Sequence, residues 1–277
     1  MKIYKIKNGI AVENEGRFFL LDNEDWDGFI NDDDLFDKSL DIIKKQKPAA
    51  DYRSILNNLE APVSSQELWA AGVTYFRSKE GRQEESKKTG GGDFYGRVYE
   101  AERPELFFKA AAHRIAGPGG RVRIRKDSIW NVPEPELTVL ITSSGKIVGY
   151  TIGNDMSSRS IEGENPLYLP QAKTYDGCAA LGPCIYATKE PLPADTRINL
   201  EIKRNGSAVF QDGVEIKQMK RQLGELASFL YRECSFPSGS FLMTGTGIVP
   251  SNDFTLQSGD EIIININPIG TLINTVE

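Results

Sequence analysis

The segment NVPEPELTVLI, Asn131 to Ile141, sets two glutamates, Glu134 and Glu136, either side of a proline in what otherwise reads as a buried strand. Side chains two apart on a strand leave the same face, so the carboxylates stand side by side while Pro135 points the other way. Proline suits a strand end, where no ladder donor is needed. After LTVLIT come Ser143, Ser144, Gly145 and Lys146, then a second strand, KIVGYTIGND, ending at Asp155. A two-residue loop at Ser144 and Gly145 pairs Ser143 with Lys146 and, counted outward, sets Glu134 directly opposite Asp155. Three carboxylates then converge at the open end of one hairpin. Unpaired anions about 5 Å apart repel and raise one another's pKa values, so the cluster calls for a cation. Oxygen ligands without histidine or thiolate suit a hard divalent ion, Mg2+ first, with Ca2+ or Mn2+ as alternatives. The competing reading is a salt-bridge cluster in which Lys173 or an arginine is the cation.

Holding such a cluster takes a framework of strands. From about Leu68 the chain reads as short strands punctuated by glycine and proline, among them LWAAGVTY, ELFFKA, RVRIR, CIYAT, INLEIKRNG, FLMTGT and EIIININPIG. FRSKEGRQEESKKT has helical composition, and Gly90, Gly91 and Gly92 after it read either as the hinge of a lid or as a surface loop. The first sixty residues read as a small unit of their own. KIYKIKNGIAV with its Asn8-Gly9 turn and RFFLLD predict a short antiparallel sheet, and LFDKSLDIIKKQ predicts a helix. A linker containing Pro62 then divides a β-containing N-terminal domain, 1–64, from a larger domain, 65–277. The class is mixed α/β and strand-rich, without βαβ alternation. NEDWDGFINDDD nearly meets a calcium-loop spacing through Asn23, Asp25, Asp27, Gly28 and Asp34, but a strand leads in where a helix is required, so it reads as a solvated acidic loop.

Bulk properties narrow the function. A net charge of −6 and a pI near 5.2 give no electrostatic footprint for nucleic acid or anionic membranes. No apolar run approaches the roughly 18 residues of a membrane span, and no signal segment follows Met1, so the expectation is a cytoplasmic protein. Cys178, Cys184 and Cys234 form no C-x-x-C pair, which suits buried thiols in a reducing compartment. Phosphate-binding glycine motifs are absent, since GPGGRV matches neither common pattern.

EPELTVLI, GYTIGNDMSSRS, PLYLPQAKTYDGC, LGP and MTGTGIVP together resemble the fumarylacetoacetate hydrolase superfamily over residues 68–275. The resemblance implies that family's C-terminal fold, a mixed β-sandwich or β-roll, and a divalent ion on Glu134, Glu136 and Asp155, the same trio that the hairpin count assembles. Hydrolases of the family carry a histidine after a G-x-x-Y segment that activates water. Here GVTY is followed by Phe76, Arg77, Ser78, Lys79 and Glu80, and the one histidine, His113, sits in KAAAHR, where it reads as structural or, less simply, as a base without a partner. AERPELFFKA, WNVPEPEL, ENPLYLPQAK and TGTGIVP resemble the branch that dehydrates 2-keto-3-deoxy-D-arabinonate in pentose breakdown. That likeness implies Glu105, in R-P-E, and Lys173, in P-Q-x-K, at the substrate.

The chemistry so implied is β-elimination of water from a 2-keto-3-deoxy sugar acid. A dication held by the substrate carboxylate and 2-oxo group stabilises the enolate formed when the C3 proton leaves. Glu105 and Lys173 form the acid/base pair, with the order of roles open, and tautomerisation gives 2,5-dioxopentanoate. Thr246, within TGTG, is a candidate anchor for the substrate carboxylate, and Lys109 a candidate for neutralising charge; the bland readings are a tight turn and a surface lysine. Two other functions stay open, cleavage of acylpyruvate-like diketones and metal-dependent ligand binding without turnover. Family resemblance also implies a homo-oligomer, a dimer or tetramer.

Overall fold

A computed structural model describes residues 1–7, 9–22, 24–85 and 92–277 of the chain. Asn8, Asn23, Gly90 and Gly91 lie outside the described residues, and with them part of the Asn8-Gly9 turn, of the acidic loop and of the glycine run. Among the described residues the strands form two mixed sheets. In chain order they are β1 (Lys2–Ile6), β2 (Gly9–Asn14), β3 (Arg17–Leu21), β4 (Glu67–Gly72), β5 (Glu105–Ala110), β6 (Ile115–Ala116), β7 (Arg121–Val122) and β8 (Asn131–Ile141). There follow β9 (Ile147–Ser158), β10 (Ala179–Ala187), β11 (Arg197–Arg204), β12 (Ser207–Glu215), β13 (Ser240–Met243), β14 (Glu261–Ile266) and β15 (Gly270–Val276).

The larger sheet has ten strands in the order β3-β2-β1-β10-β9-β8-β13-β4-β5, with β6 beside β10; the smaller has five, β12-β11-β14-β15-β7. Strands β1 to β3 are the antiparallel meander expected of the N-terminal unit, and β1 pairs with β10, so one sheet runs from this unit through to the rest of the chain. Helices α1 (Trp26–Ile30), α2 (Leu35–Ile43) and α3 (Tyr52–Leu56) complete that unit. Asp25 caps α1, accepting from Gly28 N at 2.7 Å, and Asp27 accepts from Gln66 Nε2 at 2.8 Å. These acids of the calcium-like stretch are therefore spent on capping and bridging.

Every residue of β8 is buried, because the strand lies inside the ten-stranded sheet with packing on both faces. Leu137, Val139 and Ile141 face a core shared with Ile198, Leu200, Ile262 and Ile264 of the smaller sheet. Leu140 joins the other core, with Phe29, Leu35 and Phe241. Near its N-terminal end the face carrying Glu134 and Glu136 is roofed by four helices: α4 (Phe76–Glu85), α5 (Gly92–Glu100), α6 (Arg159–Glu164) and α7 (Leu169–Lys173). An eighth helix, α8 (Leu223–Leu230), precedes β13.

The β8–β9 hairpin corrects one expectation while keeping its result. The loop is not two residues long: Thr142 N donates to Lys146 O at 2.9 Å and Gly145 N to Thr142 O at 2.9 Å, which leaves three residues in the turn with Gly145 at φ +89°. Gly145 takes the left-handed conformation that a side chain resists. A bulge follows at once, since Ile141 faces Ile147 but Leu140 faces Gly149. The extra turn residue and the extra strand residue cancel, so Glu134 still faces Asp155 and Glu136 faces Gly153.

Gly153 is the tightest point of that register. A Cβ there would overlap Thr138 Oγ1 and lie 2.8 Å from Met243 Cε. Gly153→Ala is expected to lower stability by about 1–3 kcal/mol through overpacking. Thr138→Ala in the same chain should recover part of that loss, as urea unfolding would measure.

Candidate active site

The hairpin brings its three acids together: one carboxylate oxygen from each of Glu134, Glu136 and Asp155 lies within 4.8 Å of the others. None is more than 5% exposed. Such anions survive burial only where charge is compensated, and four neighbouring elements bring cations. Lys173, the last residue of α7 and fully buried, places Nζ 2.6 Å from Glu134 Oε2, 2.9 Å from Asp155 Oδ2 and 2.6 Å from Ser157 Oγ. Arg159, which opens α6, lies 2.6 Å from Glu134 Oε1. Arg82, on α4, is 3.8 Å from the same oxygen and pairs closely with Glu162 of α6, which also lies 3.4 Å from Arg159 and 3.6 Å from Lys173.

Lys109 is not a surface residue. From β5 it is fully buried, with Nζ 2.6 Å from Asp155 Oδ1 and donating to the carbonyls of Met156, at 3.0 Å, and Lys173. It thus neutralises Asp155, and it closes the C-terminal end of α7, where carbonyls lack helical donors.

Both readings of the acid cluster have material form here, and electrostatics separates their members. Burial would raise the Glu134 pKa, but Lys173 and Arg159 outweigh it and pull that carboxyl far below its usual range. Glu136 goes the other way. It accepts one hydrogen bond, from Gly245 N at 2.5 Å, and has no ion pair among the described residues. Burial, with the charges of Asp155 and Glu134 added, holds its pKa well above that of an ordinary carboxylate. The lysines and arginines therefore satisfy Glu134 and Asp155 and leave Glu136 wanting a cation. A third oxygen donor in that position, beside two carboxylates paired with lysine and arginine, fits a hard divalent ion.

Glu105 stands at the start of β5, opposite Gly72 of β4. A Cβ on Gly72 would overlap its carboxylate, so glycine is what lets this side chain turn inward. Its Oε2 is buried without a hydrogen-bond partner, and burial raises its pKa, with Arg82 pulling down and Glu162 pushing up. A cavity of about 560 Å³ opens on it, walled by Phe94, Val98, Leu106 and Leu167. An acid so placed is a proton acceptor of raised affinity, the property a general base needs.

Two other candidates lie differently. Thr246 is buried, but its hydroxyl accepts from Ile248 N at 3.1 Å within its own turn; the TGTG turn reaches the acids instead through the backbone N–H of Gly245. His113 is exposed on a short 3-10 turn, away from the acids. Arg82, Arg159 and Glu162 escaped the reading of the sequence. Arg159 and Glu162 follow Asp155 closely enough for a strand-to-helix turn to suggest them, whereas Arg82 sits in a charged run indistinguishable from a solvated helix.

Comparison with known proteins agrees with this arrangement. Residues 81–277 match the fumarylacetoacetate (FAA) hydrolase C-terminal family. A probable 2-keto-3-deoxyxylonate dehydratase of Haloferax volcanii is 47% identical over 216 residues, 78% of this chain and 73% of its own length. A 2-dehydro-3-deoxy-D-arabinonate dehydratase of Saccharolobus solfataricus is 40% identical over 251 residues, 87% of this chain and 84% of the relative. Among solved structures, a 2-keto-3-deoxy-D-arabinonate dehydratase complexed with magnesium and 2,5-dioxopentanoate superposes with a TM-score of 0.85 at 35% identity, covering 100% of this chain and 99% of that one.

The unequal state of the acids has a measurable consequence. Glu136→Gln, which mimics the protonated acid, should leave metal-free stability unchanged or raise it, yet abolish stabilisation by Mg2+, about 2.7 kcal/mol at a hundredfold excess over Kd in the unaltered protein. Glu134→Gln, which removes the counter-charge that Lys173 and Arg159 share, should cost about 3–5 kcal/mol even without metal. Chemical denaturation with and without Mg2+ distinguishes the two.

Proposed function

The chain belongs to the fumarylacetoacetate hydrolase family, and from that membership and its site we propose a divalent-metal-dependent dehydratase of 2-keto-3-deoxy pentonates, taking 2-keto-3-deoxy-D-arabinonate to 2,5-dioxopentanoate. The observation that carries the chemistry is the pairing of Glu105, a half-buried acid with one buried and unpartnered oxygen, with the buried triad of Glu134, Glu136 and Asp155. Glu134, Glu136 and Asp155 would hold Mg2+, with Ca2+ or Mn2+ as alternatives, and the ion would supply Lewis-acid stabilisation to developing negative charge.

Side-chain environments divide the acid and base roles. Burial would lower the Lys173 pKa, but Asp155, Glu134 and Glu162 outweigh it and keep the ammonium protonated. Glu105, its pKa raised by burial, is the base. It takes the C3 proton; the C3–C4 double bond forms as the C4–O bond breaks, and Lys173 donates a proton to the departing hydroxyl, which leaves as water. The resulting 5-hydroxy-2-oxo-3-enoate tautomerises to the dioxo acid. Lys109 serves by fixing Asp155 and the end of α7, and Thr246 by shaping the turn that presents Gly245 to Glu136.

The side chains of Phe94, Val98, Leu106 and Leu167 give the cavity at Glu105 an apolar wall. Two free buried cysteines and one exposed one support a reducing, cytoplasmic setting. No helix among the described residues is long and apolar enough to cross a membrane. A homo-oligomer, dimer or tetramer, is supported by the apolar side chains of Ile129 and Leu167, 89% and 83% exposed. Sedimentation should give a mass at least twice that of the 30.8 kDa chain.

Incubated with Mg2+ and 2-keto-3-deoxy-D-arabinonate, the protein should form an aldehyde product, stop on addition of EDTA, and resume with excess Mg2+. Glu105→Gln should lower kcat by about 100-fold or more, within the range of a lost general base, while Mg2+ still raises the melting temperature. Product formation indifferent to EDTA or to that substitution would refute the assignment.

A further inference from the structure

Among the buried polar groups that the mechanism above leaves without a task is the hydroxyl of Tyr75, whose ring packs against the TGTG turn that holds Glu136. Tyr75 is 1% exposed, and its hydroxyl has no hydrogen-bond partner among the described residues. The rest of the residue is fully engaged. Its backbone N–H donates to Ser78 Oγ at 3.2 Å, and its carbonyl accepts from Ser78 Oγ at 2.7 Å and from Lys79 N at 3.1 Å.

The ring is held from two sides. Val73, two residues before it, adopts φ +54°, a conformation costly for a β-branched residue and tolerated where the surroundings enforce it. Thr74 anchors the same turn by donating to Thr244 O at 2.7 Å. On the other side Gly247 makes room, since a Cβ there would lie 2.8 Å from Tyr75 Cδ1. The two turns that clasp the ring are thus the strained one after β4 and the TGTG turn, whose Gly245 N–H holds Glu136. Burial, with the Glu136 charge added, raises the phenol pKa, so the hydroxyl stays a donor. A phenylalanine would fill this seat without an orphaned hydroxyl, and an unpaired buried hydroxyl costs stability.

We propose that Tyr75 is a catalytic residue whose hydroxyl donates a hydrogen bond to the 2-oxo oxygen of the substrate, a bond that strengthens as removal of the C3 proton shifts charge onto that oxygen. This rests on the dehydratase reading, because it names the oxygen at which that reaction builds charge. It assigns to the protein a neutral donor in addition to Glu105 and Lys173.

The test is Tyr75→Phe, measured three ways beside the unaltered protein with Mg2+ present. Dehydration of 2-keto-3-deoxy-D-arabinonate gives kcat. Exchange of the C3 protons of 2-oxopentanoate in D2O, followed by proton NMR, isolates enolate formation, because this acid has no C4 hydroxyl to lose. Thermal melting gives stability. The expected result is a fall of roughly 10- to 100-fold in both rates, the scale of a lost oxyanion donor or somewhat less, with an unchanged or higher melting temperature. Rates within twofold of the unaltered protein would overturn the proposal, as would slowed dehydration with unaffected exchange, or a melting temperature several degrees lower. An unaltered protein that catalyses neither reaction would instead sink the dehydratase reading, and this role for Tyr75 with it.

Discussion

A buried ammonium between two buried carboxylates is the contact on which the site depends. Lys173 lies within hydrogen-bonding distance of Glu134 and Asp155, groups from neighbouring strands that would otherwise repel across the ladder. Strand pairing fixes those acids about as close as cross-strand neighbours come, so the cation cannot be a passing counter-ion. It has to be delivered by an element with its own anchor. That anchor is Lys109, which grips the carbonyl of Lys173 and the carboxylate of Asp155 at once. The short helix α7 is thereby tied at its end to β5, the strand that also begins with Glu105.

From that contact follows the division of labour among chemically similar groups. Glu134 and Glu136 are two residues apart on one strand, yet one is held far below the usual carboxylate range and the other well above it. Identity does not distinguish them; the direction from which cations arrive does. Lys173, Arg159 and Arg82 all approach Glu134, while Glu136 meets a backbone N–H. The same asymmetry leaves Glu105 poised to accept a proton while Lys173 keeps its own. Buried ion pairs of this density are poor investments in stability, which is why their presence points to chemistry.

Much of this was legible in the sequence because hairpins are local. Alternation put Glu134 and Glu136 on one face, and outward counting put Asp155 across from Glu134. The count succeeded although its turn was one residue too short, since the bulge at Val148 restored the register, a cancellation no turn rule announces. Cations were harder to see. Arg82 comes from a helix 52 positions before Glu134, in a run whose charges look solvated, and its partner Glu162 comes from a different helix. Lys109 read as a candidate for neutralising charge, with a surface lysine as the bland alternative, because its neighbours in sequence do not reveal that β5 lies over Asp155. Tyr75 closed a strand-like pattern and gave no sign that its hydroxyl would be left unpaired.

The continuity of the large sheet carries a further cost for the chain. Because β1 lies along β10, the meander of residues without any chemistry covers the main-chain groups of a strand that borders the active hairpin. Stripped of that cover, β10 would present an open ladder beside Ile185 and Ala187, and open ladders recruit strands from other molecules. The amino-terminal meander is in this sense a built-in guard against aggregation, and a shortened gene product would lose solubility before it lost its catalytic groups.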